Sequence, residues 1–158
     1  MLPMTDDYLA KVSGLTTEKA LAIAAYGESV AAYRYRTLVE TESSQAHREV
    51  FREMADEEQG HHDRLQEFLD QYFTGSDFVL KPEEKGLVIV GPRLLAATSH
   101  TSFDQAIKMI CESERLTGRF YAALLLVVEI DQLKPFLKEM ADECFQHADK
   151  LERITRTN

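Results

Sequence analysis

A chain of 158 residues, 44% hydrophobic and 28% charged, has an ordinary globular composition and enough length to bury a core of its own. Its 18 basic and 27 acidic side chains give a formal charge of −9, which disfavours a nucleic-acid or phosphate-binding surface and attracts cations. Two cysteines, Cys111 and Cys144, with no C-x-x-C pair, exclude a disulfide framework, a zinc ribbon and a rubredoxin-type iron site.

The first residues, MLPMTDDYLAKVSG, lack the basic start and apolar run of a secretory signal. No stretch reaches the roughly 18 apolar residues of a membrane helix, so a cytoplasmic location without a membrane partner is expected. Residues 16–42 form the first predicted helix, capped by Thr16, with apolar residues recurring at Leu21, Ala24, Ala25, Ala31, Ala32, Tyr35 and Leu38. Ser43 and Ser44 break it and offer the next cap. A second helix is predicted over about 45–73, with Phe51, Met54, Glu58, His61, Leu65 and Phe68 on one stripe. The short hinge makes the two helices antiparallel neighbours.

Residues 74–100 are rich in Gly and Pro, with Gly75, Gly86, Gly91, Pro82 and Pro92, and are expected to form a long crossover, with LVIV at 87–90 as an apolar strip across the bundle. A third helix is predicted from Ser102, where Ser102 and Gln105 make a capping-box pattern, to about 129. A fourth runs from a cap at Asp131, with Pro135 in its first turn, to about 155. Helix pair, long connection, helix pair is the order of an all-α four-helix bundle.

MADEEQGHHDRL at 54–65 and MADECFQHADKL at 140–151 are offset by 86 residues. The same ungapped offset pairs Ala20 with Ala106, Glu28 with Glu114, Tyr35 with Tyr121, Leu38 with Leu124, and His61 with His147. The chain reads as a duplicated helical hairpin. Amphipathic helices in general share Leu and Ala positions, but that does not account for Glu28/Glu114 and His61/His147 keeping one register on inward stripes. Buried carboxylates in a group repel one another. They are protonated, paired with His⁺ or Arg, or holding a cation.

The spacing favours a cation. Glu58 and His61 form E-x-x-H on one helix face, joined by Glu28 from the preceding antiparallel helix. Two such hairpins facing each other give the ligand logic of carboxylate-bridged di-iron and di-manganese bundles. Carboxylate with imidazole suits Fe, Mn or Zn better than Mg or Ca.

GESVAAYRY at 27–35 followed by ADEEQGHHDRLQEFL at 55–69, and ESERLTGRFY followed by MADECFQHADKL in the second half, resemble the two hairpins of the rubrerythrins within the ferritin-like superfamily. The resemblance covers roughly 16–155. It implies a single ferritin-like domain over 1–158: an antiparallel four-helix bundle of two duplicated hairpins (about 16–73 and 102–155) joined by a crossover at about 74–100. It also implies a non-haem di-iron centre that couples Fe(II) oxidation to peroxide or O2 reduction, an external electron donor and a homodimer. Carried over by position, Glu28, Glu58, His61, Glu114 and His147 would be metal ligands, and Tyr35 and Tyr121 would hydrogen-bond carboxylates near the metals, although each also reads as a core tyrosine.

Two positions depart from the family. Its helix-four E-x-x-H glutamate is Cys144 here, and a second helix-three carboxylate found in many members is Thr117. Cys144 can be a core filler beside a single metal, a thiolate ligand favouring Zn, or a redox-active thiol in turnover. Glu143 points about 100° away around the helix, but its i, i+4 relation to His147 would let a limited rotation bring it in. The rest of MADE reads as outward and flanking, and KPEEK as solvated charge. The competing functions are an iron-dependent oxidoreductase, a metal-binding protein (Zn or one Fe) for storage, sensing or delivery without turnover, and a metal-free helical interaction module.

Overall fold

The computed structural model describes residues 6–41, 44–73, 79–92 and 103–156. Among these residues six α-helices follow in order: α1 (Asp6–Ser13), α2 (Thr17–Thr41), α3 (Gln45–Tyr72), the single turn α4 (Pro82–Lys85), α5 (Phe103–Val127) and α6 (Lys134–Arg156). No strand occurs among the described residues, and LVIV lies in a turn and the irregular backbone after it. No helix among them is long and apolar enough to cross a membrane.

The helix ends follow local chemistry. Thr16 Oγ1 accepts the Lys19 N–H at 3.2 Å, and Ser44 Oγ accepts that of His47 at 3.4 Å; both satisfy otherwise orphaned donors of a first turn. Ser102 and Ser43 lie outside the described residues. Asp131 does not cap α6. It opens a separate 3₁₀ turn, Asp131–Leu133, and is paired with Lys134 at 2.8 Å, with α6 starting only at Lys134.

Helices α2 and α3 form one extensive antiparallel pair, and α5 and α6 the other. Their interior divides into two apolar clusters. Leu21, Ala24, Leu65, Phe120, Leu133 and Met140 belong to one; Tyr35, Phe51, Met54, Ile107, Ile110 and Leu151 belong to the other. On each of the four long helices the residues between the clusters are polar and buried: Glu28, then Glu58 and His61, then Glu114, then His147. A polar layer therefore crosses the bundle between two apolar ones. MADE is not outward as a unit, because Met54, Ala55, Met140 and Ala141 are core, while Asp56, Glu57 and Asp142 are exposed and Glu143 is half-buried.

The crossover packs against α2 and α5. Val88 is fully buried and fits because position 27 is glycine; a Cβ there would come within 3.0 Å of Val88 Cγ2. Thr117 donates to the Val88 carbonyl at 3.0 Å. Arg34, buried to 1% exposure, donates to the carbonyls of Val90 and Pro92, both at 2.8 Å, and to Ser113 Oγ at 3.0 Å. KPEEK is not simply solvated: Glu84 accepts the Lys81 N–H at 2.8 Å and pairs with Lys19 at 2.6 Å, tying α4 to α2. The helix α1, absent from the sequence reading, is held by Tyr8, whose hydroxyl donates to Leu87 and Leu116 carbonyls at 3.1 and 3.3 Å.

Candidate metal centre

The polar layer brings together Glu28, Glu58, His61, Glu114 and His147, of which the repeat pairs all but Glu58. Two groups have ligand-type atoms within 4.8 Å of one another and could each hold a metal ion: Glu28 with Glu58 and His61, and Glu58 with Glu114 and His147. Glu58 belongs to both. His61 Nδ1 lies 3.6 Å from Glu28 Oε2 and 3.6 Å from Glu58 Oε1. His147 Nδ1 lies 2.9 Å from the same Glu58 oxygen and 3.4 Å from Glu114 Oε1.

The contacts come in exchanged pairs that the 86-residue offset relates. Tyr35 of α2 donates to Glu114 of α5 at 2.7 Å, and Tyr121 of α5 donates to Glu28 of α2 at 2.6 Å. Glu57 of α3 meets Nε2 of His147 at 2.6 Å, and Glu143 of α6 meets Nε2 of His61. Each imidazole is thus held on its outer nitrogen by a carboxylate of the other hairpin, which turns Nδ1 inward. Glu143 does not take the place left by Cys144; it is the counterpart of Glu57. Glu57, expected to face outward with the rest of MADE, is instead a partner of the site. The available signal was that this glutamate, like His61, is identical in both halves.

Charge and burial act together. Burial and the neighbouring Glu114 and Glu28 push the Glu58 carboxyl well above its ordinary range. Burial alone would raise Glu28 and lower both histidines, but the carboxylate–imidazole contacts win: Glu28 falls, His61 rises, and His147 is pushed up to about 12. Four inward atoms, Glu28 Oε2, Glu58 Oε1, His61 Nδ1 and His147 Nδ1, are buried and lack an aligned hydrogen-bond partner. Buried polar atoms are seldom left so, and oxygen and imidazole nitrogen converging on one space are the donor set of a transition-metal site. The residues present therefore fit a metal.

A family model for rubrerythrin matches residues 19–155. The chain belongs to the rubrerythrin family. A hypothetical protein from Pyrococcus furiosus has the same fold, with a TM-score of 0.77 and 24% identity over 92% of this chain and 91% of that one. No match was found among curated proteins.

Within this rubrerythrin-family chain the symmetry fails at one place. Cys144, the counterpart of Glu58, is buried beside Tyr121 and Met140 in an apolar cluster and is in neither metal-holding group. Burial, with Glu114, Glu28 and Glu58 around it, pushes its thiol well above the usual range, so in the metal-free protein it is a neutral thiol. Cys111 is core, its Sγ 3.5 Å from the Ala148 carbonyl. Thr117 is committed to the crossover. Glu112 is exposed, His62 is half-exposed, and His100 lies outside the described residues.

Proposed function

We propose that this chain binds two iron ions in the polar layer and couples Fe(II) oxidation to reduction of peroxide or O2. The observation that carries the reading is the pair of metal-holding groups sharing Glu58, with buried, unpartnered atoms facing inward. Glu28, Glu58 and His61 would hold one ion and Glu58, Glu114 and His147 the other; Mn or Zn suits the same donors. Bound iron would supply one-electron redox chemistry, and the net change with peroxide is the reduction of H2O2 by a pair of Fe(II), with uptake of a pair of protons, to water. An external electron donor would complete the cycle.

The chain's own residues do the positioning. Tyr121 holds one oxygen of Glu28 and leaves the other facing His61, whereas Tyr35 holds the Glu114 oxygen that itself faces His147. Glu57 and Glu143 hold the imidazoles on their outer nitrogens. The apolar clusters above and below exclude bulk water, which strengthens charge interactions inside. Anaerobic Fe(II) titration followed by peroxide tests the reading. Rapid formation of ferric absorption is expected, and oxidation no faster than in the Glu28→Ala, Glu58→Ala double variant would refute it.

One observation favours a second reading, metal binding without turnover. With Cys144 in place of an inward carboxylate, three glutamates face the layer, and the two groups share Glu58 where a fourth carboxylate would have given each its own pair. Elemental analysis showing one Zn per chain, with no peroxide reaction, would support that function instead.

A further inference from the structure

A metal ion must cross the bundle wall to reach the polar layer, and the seams between helices are not alike. Within each hairpin the helices pack closely, and the layers on either side of the carboxylates are apolar. An ion finds nothing there to offset its lost hydration. The α2/α5 seam lies under the crossover. Val88 sits against Gly27, Thr117 bonds the Val88 carbonyl, and the buried Arg34 cation bonds the Val90 carbonyl. The α3/α6 seam differs: α1 and α4 pack on α5 and α2 instead, and the carboxylates of Glu57, Glu139 and Glu143 lie along it.

We infer that metal ions enter through the α3/α6 seam, by a notch that Gly60 leaves beside Glu143 and His61. The inference rests on metal binding in the polar layer and holds for either function proposed above.

Register places Gly60 on this seam. On one face of α3 it lies a turn from Glu57 and a turn from Arg64, and both of those reach α6, Glu57 at His147 and Arg64 at Glu139. These contacts run antiparallel and put Gly60 at the level of Glu143. Glycine is unfavourable in a helix interior, and neither packing nor backbone requires it here. A Cβ at position 60 would meet nothing within 4 Å, and the backbone is ordinary helix. The repeat shows what is omitted, because Gln146 holds the same place in the second hairpin. One end of the seam therefore carries a side chain where the other is bare. His61 keeps 8% of its side-chain surface exposed, against 2% for His147.

Glu143 stands at the bare end. Its side chain is 32% exposed, and it meets Nε2 of His61. Behind it, Nδ1 of the buried His61 lacks an aligned hydrogen-bond partner and faces Glu28 and Glu58. A cation drawn to the acidic seam meets Glu143 first and passes to donors that have no other partner. Gly60 sets access to the layer and is no part of the ligand set.

Stopped-flow absorbance of Co(II) binding to the metal-free protein gives association and dissociation rates without turnover. Gly60→Gln, which copies the second hairpin, is expected to slow both rates about tenfold and to leave Kd within about twofold of wild type, because it narrows a route and leaves the site intact. Gly60→Ala should slow both rates less. Replacing an exposed helix glycine favours folding, and thermal unfolding checks that both variants are intact. Unchanged rates in Gly60→Gln would overturn the inference and leave metal binding standing, as would faster exchange confined to Val88→Ala, which would put the entrance under the crossover. Slower association with unchanged dissociation, and affinity reduced by the same factor, would mean that the substitution distorts the site, and also overturns the inference. A wild-type protein that binds no Co(II) overturns it together with the proposed function.

Discussion

The carboxylate of Glu57 lies 2.6 Å from Nε2 of His147, so a residue of the first hairpin holds the ring of the second, and Glu143 returns the contact to His61. Such outer contacts fix the rotation of the imidazole and raise its basicity. Glu57→Gln and Glu143→Gln are each expected to weaken metal binding about 10- to 100-fold, measured by competitive titration with a chromophoric chelator. Unchanged affinity in both variants would show that the contacts do not orient the rings.

Tyr35 and Tyr121 each satisfy one buried carboxylate oxygen. Tyr35→Phe and Tyr121→Phe should each cost about 1–3 kcal/mol in the metal-free protein, read from urea denaturation. The two losses should be similar because the contacts are related by the repeat. A loss below about 0.5 kcal/mol in either variant would indicate that its carboxyl is satisfied in another way.

The histidines set the pH response. Burial tends to lower His147, but Glu114 and Glu58 push it up to about 12, and Glu28 and Glu143 raise His61 against the same burial. The unfolded value is about 6.5, so the folded metal-free protein holds more protons in between. These contacts stabilise fully below about pH 6.5 and are lost as pH rises through the folded value. Metal ligands must shed their protons, so metal affinity runs the other way. The metal-free protein should therefore have a lower Tm at about pH 9 than at about pH 7, while the Tm gain from added Mn(II) should be larger at about pH 9. A pH-independent gain would contradict protonated imidazoles in the metal-free state.

Cys144→Glu restores the missing member of the repeat. A fourth inward carboxylate should tighten binding of the second metal ion by about tenfold or more and lower the metal-free Tm through added repulsion. Isothermal titration and thermal unfolding would read these opposite effects. An unchanged second step would mean that Cys144 does not limit occupancy.

Much of this arrangement was legible in the chain because duplication writes the inner residues twice. Glu28 and Glu114, His61 and His147, and Tyr35 and Tyr121 could be paired by register alone, and the hairpin order followed from caps and apolar spacing. Glu57 and Glu143 were misjudged because a helical wheel assigns direction within one helix. These side chains act on imidazoles of the facing helix, so inter-helix distance decides their role. Arg34 and Glu84 were equally hidden, since their partners lie on the crossover and on another helix. Helix α1 has eight residues, too few to form reliably from local preference, and its tyrosine bonds carbonyls far along the chain.

The exchanged contacts also bear on how the chain folds. Alone, the first hairpin would leave Glu28 without its tyrosine and His61 without its outer carboxylate; the second would leave Glu114 and His147 in the same condition. Neither half is a self-sufficient folding unit, and a duplicated sequence is not two independent modules. The halves should unfold in one cooperative transition, with no stable half-folded species between.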